Sequence, residues 1–425
     1  MADPAFPRLH VRPPTGWLND PNGLCRVDGT YHVFFQHNPR SVLHGAIAWG
    51  HASSTDLLHW RHHPLALHPR PGGIDAGGCW SGCVTLDGDV PTAVYTAVVD
   101  DPTRAVVALA RSDRRLERWQ QDPDPGVGAP EDPTVEQVRD PWLFTFRGRR
   151  YAVQGAGSRS GPPQLLLYDC TDLRSWVPLG CLLHGTDPVA AALAPAQVWE
   201  CPNLFPLGPV WVLLVSQWTW VAGRDVLAGV RYLLGDLAVD GAGLRFRPVT
   251  GGVVDEGPSC YAPQVLVEPE RVLLWGWARE VDRSPEQVER AGWAGSLTFP
   301  RELFLVDGQL ACRPAAELVG LRAERLAHPR RAPLAERAFE VVATAPVRLV
   351  LRDGDMTVAE VAATGTAGDP ARVLVDGSVV ETYAGGRCRT DRAYPGADSR
   401  WEIDGDPASL VVYRLGLAGP EGRLP

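Results

Sequence analysis

The chain has 425 residues, 45% of them hydrophobic and 21% charged, which is an ordinary globular composition. That length suits two domains and supplies enough apolar material for a core without a metal or disulfide staple. The formal net charge of −9 argues against nucleic acid or an anionic membrane as the main partner, and no apolar run nears the roughly 20 residues of a membrane span.

The first residues, MADPAFPRLHVRPPTG, lack a charged stretch followed by an apolar one, so they do not read as a signal peptide, and the expected location is cytoplasmic. Next comes WLNDPNG, residues 17–23. Asp-Pro and Asn-Gly are turn dipeptides, so this stretch reads as a turn holding Asp20 between Asn19 and Pro21. YHVFFQ, TAVYTAVV, AVVALARS, WVLLVSQWTW and RVLLWGWA read as short strands, separated by turn signals such as VDG, LDGD and FRGRR. Only SPEQVERAGWAG reads as a brief helix.

HWRHHPLALHP gathers His59, His62, His63 and His68, in a spacing that fits neither helical nor finger-type metal ligands. They read as loop histidines on a solvated strand edge, and no metal or cofactor is expected. PGGIDAGGCWSG is rich in glycine but lacks the phosphate-loop pattern, and reads as a tight loop that brings Ser81 toward a substrate. The nine cysteines are odd in number and contain no C-x-x-C pair, so they read as reduced thiols. Lysine is absent, and all 41 basic residues are arginine, a compositional bias rather than a binding feature.

A repeat runs through the first three quarters of the chain. Leu57/Trp60, Leu116/Trp119 and Leu173/Trp176 each follow an acidic turn, with their tryptophans 59 and 57 residues apart. A degenerate fourth copy falls at GDLAVDGAGLRF, residues 235–246. A period of this size suits a four-stranded propeller blade, so residues 1 to about 305 hold about five such units. From about residue 325 the texture changes to alternating apolar and polar residues between tight turns, the pattern of sandwich strands.

Three acidic residues stand in comparable settings, beside proline and ahead of apolar runs: Asp20, Asp140 in VRDPWLF and Glu200 in VWECPNLF. They are predicted to fall in successive repeat units. Inner strands of propeller blades line a central channel, so these carboxylates can converge at its mouth. Glycoside hydrolysis needs such a pair, one ionised nucleophile and one acid with a raised pKa; a separation of about 5–5.5 Å gives retention of configuration. Arg139 is expected to keep Asp140 ionised, and Val198 and Trp199 to desolvate Glu200. Taken singly, each motif reads as an ordinary turn; their order on a repeat is what separates the two readings.

WLNDPNG, FFQHNP, WGHASSTDLLHW, WSG, RDP, ECP, YAPQ and GWAGSLTFPREL together resemble the motif series of glycoside hydrolase family 32, the invertases and other β-fructosidases. VLVDGSVVETYAGG resembles the signature of that family's C-terminal domain. The resemblance implies an all-β fold, a five-bladed β-propeller at 1–321, a linker at 322–337 and a β-sandwich at 338–425. It implies Asp20 as nucleophile, Glu200 as general acid/base and Asp140 as the carboxylate that stabilises the transition state. Asn19, Gln36, Ser81, Arg139, Tyr261 and Trp277 match sugar-contacting positions; Trp17 supports the nucleophile, and Cys201 is a thiol beside the acid/base. His44 stands where tryptophan is common, five residues before Trp49 and near the fructosyl pocket, and the resemblance implies that both His44 and Trp49 bind substrate. Trp80 replaces a phenylalanine as an aromatic wall, Leu18 a methionine and Asn203 an aspartate.

The implied reaction is release of terminal β-D-fructofuranosyl units, first from sucrose. A fructan exohydrolase, a sucrose-6-phosphate hydrolase, a fructosyltransferase and a non-catalytic sugar-binding propeller are the alternatives.

Overall fold

The computed structural model describes residues 3–130, 132, 135–326 and 333–417. The middle of the expected linker and the last eight residues of the expected sandwich lie outside them. No helix among the described residues is long and apolar enough to cross a membrane.

Strands dominate, and they form the expected five-bladed β-propeller followed by a β-sandwich. The first blade holds Gly16–Val27, Thr30–Asn38, Ala48–Ser54 and Arg61–Leu67. The second holds Gly78–Asp87, Val90–Val98, Val106–Ser112 and Trp119–Gln121. Gln137–Phe146, Arg149–Gly157, Gln164–Asp169 and Val177–His184 make the third; Val198–Leu207, Val210–Val221, Arg224–Asp240 and Gly243–Val253 make the fourth. Cys260–Val267, Val272–Ala278, Arg301–Val306 and Gln309–Pro314 make the fifth. Trp293 and Ala294 pair in parallel with Gly16 and Trp17, which ties the fifth blade to the first. The third and fourth blades join through Gly157 and Val198. Gly155 permits that approach: a Cβ there would lie 1.9 Å from the Trp199 carbonyl oxygen.

The repeat has a physical cause. In each Leu-x-x-Trp turn the indole N–H donates to the leucine carbonyl three residues back: Trp60 to Leu57 at 3.2 Å, Trp119 to Leu116 at 3.0 Å and Trp176 to Leu173 at 3.1 Å. Each turn links the third and fourth strands of its blade, and the degenerate copy falls at the corresponding hairpin of the fourth blade.

WLNDPNG does not turn. It lies inside the strand Gly16–Val27, and the proline and glycine mark register shifts against the second strand rather than a reversal. The same irregularity recurs in the first strand of all five blades, where two residues face one: Asn19–Asp20, Trp80–Ser81, Asp140–Pro141, Cys201–Pro202 and Ala262–Pro263. These are β-bulges, which bend a strand and re-aim its side chains. Asp140, Cys201 and Ala262 take left-handed backbone at φ 60°, 45° and 45°, uncommon for residues with a Cβ.

Just beyond four of the five bulges, those of the first, third, fourth and fifth blades, a polar side chain ties one blade to another. Asn22 Oδ1 accepts from the Gly82 N–H at 3.2 Å, and Trp142 Nε1 donates to the Leu204 carbonyl at 2.9 Å. Asn203 Oδ1 accepts from the Val265 N–H at 3.0 Å while its Nδ2 donates to the Pro263 carbonyl at 3.0 Å. Gln264 Oε1 accepts from the Leu24 N–H at 3.0 Å. Asn203 therefore serves the ring rather than the cavity.

The sandwich has a six-stranded sheet and a three-stranded sheet. Phe339, Val341, Leu349, Val373, Val375, Trp401 and Ile403 fill its core. The expected linker begins inside this domain: Arg322–Leu326 is a strand paired with Leu410–Leu415.

VLVDGSVVETYAGG packs against the propeller. Arg301, with 0% of its side chain exposed, donates to Glu381 Oε2 at 2.7 Å and to Asp255 Oδ2 at 2.6 Å. His10 places its ring nitrogens 2.7 Å from Asp376 Oδ2 and 3.0 Å from Glu381 Oε1. Two carboxylate acceptors require both ring nitrogens to carry protons, so His10 is an imidazolium. Breaking such a buried ion network costs about 3–5 kcal/mol because it strands a charge.

Candidate active site

A cavity of about 640 Å³ opens at one end of the propeller channel. Trp17, Asn19, Asp20, Gln36, His44, Trp80, Arg139, Asp140, Glu200, Tyr261 and Trp277 line it, as the sequence led us to expect. The three carboxylates come from the first, third and fourth blades rather than from successive ones. Ser81 occupies the equivalent bulge of the second blade.

Asp20 is surrounded by donors. Ser81 Oγ donates to its Oδ2 at 2.7 Å and Gln36 Nε2 at 3.1 Å, while Asn19 Nδ2 donates to its Oδ1 at 3.0 Å. Trp17 Nε1 fixes Asn19 in turn, at 2.7 Å from Asn19 Oδ1. Ser81 is buried and acts through Asp20; its loop does not carry it into the cavity wall. Cys201 spans the base of the site, with Sγ 3.5 Å from Asp20 Oδ2 and 3.4 Å from Asp140 Oδ2. Asp140 Oδ2 also accepts the Cys201 N–H at 2.8 Å, and the Asp140 N–H donates to Thr96 Oγ1 at 2.8 Å.

Arg139 does not serve Asp140 directly, contrary to expectation. Its Nη1 lies 3.1 Å from Glu200 Oε1, and Nη2 donates to Gln137. The bulge at Asp140–Pro141 re-aims Asp140, so the two sequence neighbours take different partners within one cavity. Tyr261 OH donates to the other Glu200 oxygen at 2.7 Å. Trp218 stacks on Arg139, 4.6 Å from the guanidinium carbon. Burial pushes the Glu200 carboxyl above its usual range, and Arg139 and Tyr261 oppose the shift. Trp199 is fully buried, and its indole donates to the Ala194 carbonyl at 2.9 Å. Burial, then the charge of Glu200, pushes Asp140 up to about 7. Asp140 and Glu200, both raised, titrate as a pair.

Trp49 does not reach the cavity. It is 0% exposed, and its indole donates to the Trp80 carbonyl at 3.0 Å, so it supports the wall from behind. His44 stands edge-on to Trp17 and Trp80, with ring centroids 6.2 and 5.5 Å away. Burial lowers its pKa, which keeps it neutral. The histidine-rich stretch disperses: His63 bonds Ser53 at 2.7 Å, His59 bonds Asp56 at 2.8 Å and His62 meets Phe35 edge-on.

Sequence reasoning missed Trp218, Asp225, Val226, Leu227 and Arg279 in the wall. Trp218 was reachable through the alternation in SQWTW. Asp225, Val226 and Leu227 come from the hairpin joining Val210–Val221 to Arg224–Asp240, where no local pattern marks them.

Residues 10–314 match the glycosyl hydrolases family 32 N-terminal domain. The chain belongs to glycosyl hydrolase family 32. This family 32 member is 36% identical over 334 residues to raffinose invertase of Escherichia coli, covering 75% of this chain and 66% of that protein. It is 36% identical over 341 residues to sucrose-6-phosphate hydrolase of Klebsiella pneumoniae, covering 76% and 70%. The alignment thus spans just under two thirds of the raffinose invertase. Among solved structures, the GH32 beta-fructofuranosidase BmSUC1 of Bombyx mori superposes with a TM-score of 0.80 at 24% identity, over 97% of this chain and 94% of that one. Fructan 1-exohydrolase IIa of Cichorium intybus, in complex with 1-kestose, superposes with a TM-score of 0.78 at 22% identity, over 98% of each chain. These likenesses give the family 32 protein its fold: propeller, then sandwich.

Proposed function

We propose that this family 32 protein is a retaining β-fructosidase that releases terminal β-D-fructofuranosyl units, first from sucrose. The observation that carries the reading is the meeting of Asp20, Asp140 and Glu200 in one cavity, with every polar neighbour of Asp20 a donor. Asp20 attacks the anomeric C2, and Glu200 gives its proton to the departing glycosidic oxygen. Glu200 then takes a proton from water, which releases fructose and frees Asp20. Asp140 holds fructosyl hydroxyls and supports the positive charge of the transition state. Trp80, Trp277 and Trp17 supply apolar faces for the sugar. The raised acidity range of Glu200 supports its role as proton donor. In the same reading, residues 1–321 form the catalytic unit, and the sandwich takes in the strand Arg322–Leu326, which the expected linker had claimed.

The test is incubation of the purified protein with sucrose, with free fructose and glucose measured and Asp20→Asn run alongside. Equimolar release that vanishes in the variant supports the reading. Silence on sucrose, inulin, levan and 6-phosphosucrose sinks it and leaves a sugar-binding propeller. Phosphosucrose belongs in the panel because several relatives carry the name sucrose-6-phosphate hydrolase and Arg279 adds a cation to the wall.

A further inference from the structure

Glu280 lies outside the cavity wall, next to Arg279, yet four donors from two domains converge on its carboxylate. Oε1 accepts from the Gly295 N–H at 2.8 Å and from Arg392 Nη2 at 2.7 Å. Oε2 accepts from Arg283 Nε at 2.8 Å and from Tyr394 OH at 2.6 Å. Gly295 and Arg283 belong to the propeller side; Arg392 and Tyr394 belong to the sandwich side.

Gly295 is what gives this junction reach. Its backbone takes φ +76°, and a Cβ there would lie 1.9 Å from the Leu18 carbonyl oxygen and 2.8 Å from Trp277 Nε1. It is therefore wedged between the strand that carries Asp20 and the indole of the cavity-lining Trp277. Arg12 Nη1 holds the Gly295 carbonyl at 2.7 Å. Trp277 Nε1 is buried without a partner of its own, so packing alone sets the ring: Gly295 on one side, Trp17 at 5.5 Å on another.

We propose that Glu280 is a positioning residue through which the sandwich's Arg392 and Tyr394 set Trp277 and the Asp20 strand for the fructosyl group. This rests on the β-fructosidase reading above. It gives the sandwich a part in substrate binding without touching the substrate. Loss of one donor to Glu280 relaxes Gly295, loosens the wall and weakens ground-state binding of the sugar.

The experiment compares the full-length wild type with Tyr394→Phe, Arg392→Met and a control, Arg389→Met, whose side chain contacts Asp391 and the Glu256 carbonyl instead. Readouts are kcat, KM, fructose affinity by calorimetry, and Tm. Losing a hydrogen bond of this kind raises KM and the fructose Kd of Tyr394→Phe by about fivefold, with kcat within about twofold of wild type. Arg392→Met shows a larger effect, and Arg389→Met leaves both constants unchanged. Wild-type KM and fructose affinity in a folded Tyr394→Phe overturn the proposal, whether or not Arg392→Met folds. So does an equal rise in Arg389→Met, which marks a general loosening of the interface. A wild type inactive on every fructoside is a different result, and overturns the fructosidase reading itself.

Discussion

The Arg139 guanidinium reaches Glu200, 3.1 Å from Oε1, and not Asp140, its neighbour in sequence. The cation thus sits on Glu200, the proposed proton donor, where it opposes the upward pull of burial on both Glu200 and Asp140.

That placement fixes the sign of a pH effect. In the proposed mechanism activity needs protonated Glu200, so it falls as pH rises through the raised pKa of the Asp140–Glu200 pair. Arg139→Met removes a charge that favours the ionised form, so the proton persists to higher pH. The alkaline limb of kcat/KM moves up by about 1 pH unit while the plateau falls. A pH-rate profile checks this, and a limb that stays or moves down refutes it.

Ser81 acts on Asp20 from the adjacent blade. Ser81→Ala leaves Gln36 and Asn19 to hold Asp20, the proposed nucleophile, and frees its rotamer. We expect kcat to fall by about 10- to 100-fold, with Tm nearly unchanged, since misorientation of a reacting group costs that much. Single-turnover kinetics separates this loss from weaker binding.

His32 and His51 are buried in contact, 2.9 Å apart, and burial lowers them to about 4 and about 2. Both stay neutral in the fold but take protons when unfolded. Their contribution is intact above the unfolded value near 6.5 and is lost as pH falls toward the folded values. Unfolding free energy should drop by about 1.4 kcal/mol per pH unit per histidine below pH 6. His51→Phe should flatten that slope; denaturant titrations at pH 7, 6 and 5 measure it.

His10 behaves oppositely. Burial alone would lower its pKa, but Asp376 and Glu381 overcome that and raise it. Its stabilisation is complete below the unfolded value and fades as pH rises through the folded one. His10→Gln should therefore cost most near pH 6 and least near pH 9. An equal cost at both ends would mean the ring contributes packing and no charge.

The elements that sequence reading located are those whose signals are local. Leu-x-x-Trp turns report themselves because the indole and its carbonyl partner lie three residues apart. Alternation in the last hundred residues announces a sandwich because side-chain direction has a period of two. Misreadings gather where backbone geometry departs from those periods. WLNDPNG carries turn residues, yet a sheet absorbs them as a bulge. Trp49 reads as a substrate-binding residue, yet it is buried behind the wall, bonded to the Trp80 carbonyl, because its burial is set by tertiary packing that no local pattern shows.

Sequence by itself determined the architecture and the family and pointed to the three carboxylates that line the cavity, because each is marked by residue types at short or repeating spacing. Tertiary structure decided which groups meet. Arg139 pairs with a residue 61 positions away, Cys201 bridges two carboxylates from other blades, and the sandwich's Arg392 reaches Glu280, 112 positions earlier. The reason is geometric: a bulge turns a side chain by an amount no periodicity encodes, and blades that touch around a ring are far apart along the chain.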